Sequence, residues 1–370
     1  MVHHCNTGSG PALKIFLHGG RGSPPPILPS SRESACYSRR IPADYNHRTC
    51  PNHQGRPPCR PAPLPNVLLD GDSRPVSTAE AWQAKRPALL RGFGEQRYGV
   101  TPIGKPAALK FVVREKQEEA RGGRATRLRI GMLFEGTETG RQMEWRVYRP
   151  NDVTAKALVF LGLNFDGNYT TVTDPGLPLP MHYANGLSEN KIPNHKPTEA
   201  GRGLHAYMWS RDLLLESGFG LATASCGEIE PDAPGRWKEG VRGLAPEPGP
   251  GDWGTLGAWA WGLSRAMNYL VTNDRVDASK VTVIGFSRLG KAAVWAGAQD
   301  ERFDAVVSNA SGAGGIALSK RLFGERTGDP VTRFPHWFCG NFAAYAGMEE
   351  TLPFDQHQLA ALIARSESVV

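Results

Sequence analysis

The feature that most constrains this chain is a β-branched run that passes directly into a Gly/Ala-rich helical pattern. Val281-Thr-Val-Ile-Gly-Phe-Ser287-Arg-Leu-Gly-Lys291-Ala-Ala-Val-Trp-Ala-Gly297 reads as a buried strand, a corner holding a serine, and a helix. Small residues at Gly285, Gly290, Ala292 and Ala293 let that helix lie close against its strand. Such a corner lifts the Ser287 hydroxyl clear of the sheet and aims the first helical amides at an incoming oxyanion. The spacing is G-x-S-x-x-G, one residue longer than the common G-x-S-x-G. The local residues alone leave alternatives open. Ser287 is a nucleophile, or it caps the helix that follows. Arg288 offers donors to an oxyanion, or it pairs with a nearby acid. Lys291, one helical turn on, shares the mouth of the same pocket and suits an anionic substrate, or it is a solvated surface lysine.

The rest of the chain from residue 66 supplies a sheet for that corner. Ala157 to Leu163, Phe219 to Ser225 and Asp304 to Ser308 read as further buried strands, and Lys280 to Phe286 as the one leading into the corner. Helix-length patterns at Ala206 to Ser217, Thr255 to Thr272 and Leu289 to Gln299 separate them. Strands alternating with helices predict a parallel sheet covered on both faces, a three-layer α/β/α sandwich. Arg127 to Leu133 and Met143 to Tyr148 alternate as two strands joined through Gly136–Gly140. Thr78 is placed to cap a helix running through Trp82 and Leu89–Leu90. Trp253, Trp259 and Trp261 fall at or near helical spacing and read as core.

Residues 1–65 are compositionally foreign to this pattern. They hold 12 of the 30 Pro, four of the six Cys and half of the ten His. They read as a disordered leader, because so little apolar surface cannot offset the entropy of ordering. Their Cys and His spacings fit no zinc finger or ribbon. The leader carries eight Lys/Arg against two acids, Glu33 and Asp44, so nearly all of the net charge of +7 belongs to it. Residues 66–370, the expected folded domain, are close to neutral, which argues against a nucleic-acid-binding face. No run approaches eighteen apolar residues, so no membrane-spanning helix is expected. Met1 to Gly20 lacks the basic start, apolar run and cleavage site of a signal peptide. No phosphate-cradling GxGxxG loop occurs.

Taken together, the motifs resemble the glucuronoyl esterases, carbohydrate esterase family 15, especially the bacterial branch. Gly285-Phe-Ser-Arg-Leu-Gly-Lys291 is similar to that family's G-x-S-R-x-G-K signature. Gly162-Leu-Asn-Phe-Asp-Gly-Asn168, Asp252-Trp-Gly-Thr-Leu-Gly-Ala-Trp-Ala-Trp261, Phe334-Pro-His-Trp-Phe-Cys339 and Leu352-Pro-Phe-Asp-Gln-His357 match in order, over roughly residues 66–365. The resemblance implies an α/β-hydrolase fold and a cofactor-free, monomeric serine esterase. Its substrates would be the esters that join glucuronic acid on xylan to lignin alcohols. It implies Ser287 as nucleophile, Arg288 as oxyanion donor, Lys291 as a ligand of the uronate sugar, and Glu325 as a sugar-contacting acid. The family is typically exported, so localisation is left open.

The chain also departs from the family. Part of the family places its triad acid just before a Ser-Gly pair; here Ala310 precedes Ser311-Gly312. The family's catalytic His segment is not found, so the domain reads as incomplete, lacking its last strands, with an exposed strand edge and poor solubility expected. His336 and His357 read as structural. His182, His195 and His205 precede the corner, the wrong chain order for this fold. The alternative to an esterase is therefore an impaired relative that binds uronate-bearing glycan without turning it over.

Overall fold

The computed structural model describes residues 63–180, 183–184, 191–321 and 324–364. The disordered leader expected at 1–65 lies outside the described residues except for its last three positions. Pro65 is already held there, its carbonyl accepting from His357 Nε2 at 2.7 Å.

Among the described residues, seven strands form one sheet: β1 (Lys110–Ala120), β2 (Ala125–Leu133), β3 (Gln142–Pro150), β4 (Ala157–Asn164), β5 (Gly220–Ser225), β6 (Val276–Phe286) and β7 (Ala305–Asn309). Their order is β1-β2-β3-β5-β4-β6-β7. From β1 to β5 neighbours run antiparallel, and from β5 to β7 they run parallel. The parallel strands are the continuous apolar runs, buried on both faces as such strands must be. The chain leaves β4, returns as β5 on one side of it, and later as β6 on the other. The crevice beyond the carboxyl ends of β4 and β6 is thus a topological switch point, where open α/β sheets place ligands.

The helices are α1 (Ala79–Phe93), α2 (Arg211–Glu216), α3 (Cys226–Ile229), α4 (Thr255–Leu270), α5 (Arg288–Gln299), α6 (Gly328–Arg333) and α7 (Gln356–Ile363). Thr78 caps α1 as expected, its side chain accepting from the Ala81 amide at 3.2 Å. α4 and α5 pack on each other and on the parallel strands, and α7 packs on α5. Trp253, Trp259 and Trp261 are buried, and the two in α4 donate their indole N–H groups to the carbonyls of Glu230 and Ile103. Cys226 and Cys339 are separate buried thiols.

Three local expectations need correction. The helix expected over Ala206 to Ser217 is two short pieces, a 3-10 turn at Ala206–Met208 and α2, separated by Ser210 at φ 33°. The positive φ breaks the helical path, and Gly203 and Gly218 bracket the segment with left-handed turns of their own. β6 begins at Val276, four residues earlier than its apolar run suggests. β1 was not expected at all, because its sequence is Lys/Glu-rich. It is the border strand of the antiparallel end, where charge protects an open edge. No helix among the described residues is long and apolar enough to cross a membrane.

Candidate active site

The corner between β6 and α5 has the conformation that its sequence requires. Ser287 lies at φ 56°, ψ −127°, a region that non-glycine residues rarely adopt. Its amide donates to the Asn309 carbonyl at 2.9 Å, and its own carbonyl accepts from the amides of Gly290 and Lys291. Those bonds fix the strained backbone from both sides. Gly285 is obligatory for the close turn, since a Cβ there would sit 2.1 Å from the Leu289 carbonyl oxygen. The capping alternative fails: Ser287 occupies the N-cap position of α5, but its side chain makes no cap bond. Among the described residues its hydroxyl has no hydrogen-bond partner, and the residue is half-buried. The first amides of α5 have no intrahelical acceptor, as at any helix start.

Arg288 is held in a fixed position. Its Nη1 donates to Asp232 Oδ2, and its guanidinium lies 4.7 Å from the Trp337 ring and 5.0 Å from that of Phe334. The acid pairing left open by the sequence is therefore present, and the acid is Asp232. Its other oxygen accepts from His336 Nε2 at 2.9 Å and from Trp337 Nε1 at 2.7 Å. Burial alone would raise the Asp232 carboxyl. The hydrogen bonds from His336 and Trp337 and the charge of Arg288 outweigh it and hold Asp232 below the usual carboxylate range.

Lys291 is not a surface lysine; it is 3% exposed. Its Nζ donates to the carbonyls of Ser311 at 2.5 Å and Ala313 at 2.7 Å, and lies 3.4 Å from Glu325 Oε2. Those three acceptors match the three donors of an ammonium. Desolvation by burial lowers the Lys291 pKa, and the neighbouring Glu325 works against that shift. Glu325 also accepts from the Ala313 amide at 2.9 Å and keeps about a third of its side chain exposed. Trp337 links the two cations, with Lys291 Nζ 5.9 Å from its ring.

The expected site residues therefore converge. Ser287, Arg288 and Lys291 share the first turn of α5, and Glu325 is brought to Lys291 from a loop 34 residues away. A solved glucuronoyl esterase from Solibacter usitatus is 42% identical over 82% of this chain and 78% of that one, with a TM-score of 0.75. The chain belongs to carbohydrate esterase family 15, the glucuronoyl esterases. A solved, promiscuous family-15 esterase from a marine bacterial metagenome is 38% identical over 83% of this chain and 77% of that one, with a TM-score of 0.76. Carbohydrate esterase MZ0003, from an unknown prokaryotic organism, is 39% identical across 81% of this chain and 70% of its own length. The model of the fungal glucuronyl esterase family matches residues 249–367. The fold is accordingly that of the α/β-hydrolases.

Among the described residues, neither a base nor an acid of a triad is bonded to Ser287. Ala310, the residue before Ser311-Gly312, follows β7 at φ 49° and offers no side-chain donor or acceptor. His336 is committed to Asp232 through Nε2, and its Nδ1 is buried without a partner. His357 bonds Pro65, His195 bonds the Ala184 carbonyl, and His205 pairs with buried Asp166 at 2.9 Å. His182 lies outside the described residues. Sequence reasoning missed Asp232 and Trp337. Asp232 stands in a Pro-rich loop without periodicity. Trp337 was visible within the motif Phe334 to Cys339, but with no role attached to it. Among the described residues no His, Cys, Asp and Glu group is arranged to hold a metal.

Proposed function

We propose that this chain is a serine carboxylic-ester hydrolase acting on glucuronate esters of the kind that link glucuronoxylan to lignin. The observation that carries the reading is the Ser287 hydroxyl, without a hydrogen-bond partner among the described residues, on a strained strand-to-helix corner, with Arg288, next in the chain, anchored by Asp232. In this mechanism Ser287 Oγ attacks the uronate carbonyl carbon. The charge that develops on the carbonyl oxygen meets Arg288 and the free amides at the start of α5. The alcohol leaves with a proton, and water then releases the uronate from the serine. Lys291 and Glu325 hold the sugar: a buried ammonium beside a partly exposed carboxylate offers a donor and an acceptor to neighbouring hydroxyls. The proposed protein works as a monomer without metal or organic cofactor, and its partner is the glycan ester rather than nucleic acid or membrane.

A second reading is that the site binds uronate-bearing glycan without turnover. It is favoured by the lack, among the described residues, of an imidazole or carboxylate bonded to the Ser287 hydroxyl. A serine without a base is a weak nucleophile, and loss of the base costs several orders of magnitude in rate. Hydrolysis of benzyl glucuronate by the purified chain, beside its Ser287→Ala variant, decides between them. The esterase reading expects turnover that falls at least about a thousandfold in Ser287→Ala. Saturable glucuronate binding with no turnover above the variant would establish the second reading instead.

A further inference from the structure

We infer that Asp232 is the positioning residue of this site: it clamps one edge of the Arg288 guanidinium so that the opposite edge is aimed, before substrate arrives, at the oxyanion forming next to Ser287. This rests on the esterase reading of Ser287 and goes beyond it, because it assigns the clamp to a residue outside every motif of the corner.

Asp232 reaches Arg288 from 56 residues upstream, and its side chain is 1% exposed. Its two oxygens collect three donors, from Arg288, His336 and Trp337. A carboxylate only accepts, so His336 presents a protonated Nε2 to it. That bond fixes the ring, and Trp337 is fixed by its own bond to the same oxygen. The clamp therefore sets both the charge partner of Arg288 and the aromatic surface beneath it. Only one terminal nitrogen of Arg288 is used. Nη2 has no partner among the described residues, and the side chain is 19% exposed.

An unrestrained arginine loses much rotamer freedom when it docks onto a developing charge. Donors already fixed in place stabilise that charge without reorganising during the reaction. With Asp232 neutralised, Arg288 loses its anchor, and two buried donors lose an ionised acceptor. The effect on catalysis is then an effect through Arg288, which separates positioning from a general support of the fold.

The test is a double-mutant cycle on Asp232→Asn and Arg288→Ala in the full chain. One readout is the affinity of phenylboronic acid, which forms a tetrahedral adduct on Ser287 and carries a negative charge where the oxyanion would stand. The adduct is followed by boron NMR, with Ser287→Ala as the blank. The second readout is kcat and KM for benzyl glucuronate. Asp232→Asn is expected to weaken the adduct roughly tenfold. It should lower kcat by a similar factor with KM little changed, and do neither in the Arg288→Ala background. Equal losses in both backgrounds, or no loss, would overturn the assignment. So would a wild-type chain that forms no boronate adduct. An adduct without ester turnover would sink the esterase reading alone, and the cycle on boronate affinity would still stand. If circular dichroism shows Asp232→Asn unfolded, Arg288→Lys replaces it. A lysine keeps the charge but cannot hold Asp232 and the oxyanion from two edges, so it should bind boronate no better than Arg288→Ala. Wild-type affinity in Arg288→Lys would refute the clamp.

Discussion

At the scale of the residue, the site depends on backbone geometry before it depends on any functional group. Ser287 keeps its positive φ because β6, α5 and the Asn309 carbonyl each fix one of its bonds. Gly285 makes this possible, since any side chain there would press on the Leu289 carbonyl of the following helix. Gly285→Ala should therefore destabilise the fold by roughly 1–3 kcal/mol, the usual cost of overpacking a closed site. It should also impair any reaction at Ser287 beyond that loss, because the strand and helix must part to admit the methyl group. Urea unfolding combined with boronate binding checks both parts; a variant with wild-type stability would show that the corner relaxes freely. Lys291 follows a related logic. Its three donors are already matched by Ser311, Ala313 and Glu325, so a sugar hydroxyl must share an acceptor's place rather than fill an empty one. Glu325, the exposed member, is the group that can yield.

At the scale of the element, the loop after β7 acts as a cage around Lys291, and α7 braces it. Glu325 holds the Ala313 amide, Tyr98 donates to the Gly314 carbonyl at 2.8 Å, and Gln356 donates to that of Gly315. Asp355 caps α7 and also accepts from the amides of Ser319 at 2.8 Å and Lys320 at 3.0 Å. Asp355→Ala removes a cap and strands two buried amides. It should cost at least about 2 kcal/mol, with Asp355→Asn recovering part of it. Thermal unfolding of the two variants tests this; equal loss in both would mean that shape, not hydrogen bonding, holds the loop. Much of the scaffold was legible from pattern alone, because buried parallel strands and α4 are long and continuously apolar. The corner was legible because its small residues and serine have a fixed order. β1 was not, since an edge strand carries charge in place of alternation. Asp232 was not, because its meaning comes from three donors contributed by segments 56 to 105 residues away, a relation that no local window contains.

At the scale of the whole molecule, the Pro-rich segment carrying Asp232 must be held against α4, and a second buried acid does this. Glu230 accepts from Arg242 Nε and, at 3.4 Å, from the Arg242 amide. Arg242 in turn reaches the Trp253 carbonyl and Thr255 Oγ1 at the start of α4. Burial pushes the Glu230 carboxyl up to about 7 from 4.5, against the charge and hydrogen bonds of Arg242 and the more distant charge of Arg141. A folded state that binds this proton more tightly than the unfolded chain gains from it fully below pH 4.5. It loses that advantage as pH rises towards 7, so this group makes the fold less stable across that window. Asp232 has the opposite sign. Its carboxyl is held down, so its contribution is present above its unfolded value of 3.8 and is lost as pH falls below that. The two acids therefore limit the stability of the same segment from opposite sides. Melting temperatures taken from pH 4 to pH 8 should decline through the upper window in the wild-type chain. In Glu230→Gln, which has no proton to lose there, the decline should be shallower. Parallel curves for the two proteins would show that Arg242 keeps Glu230 ionised throughout, and that the pair holds the segment as a permanent salt bridge.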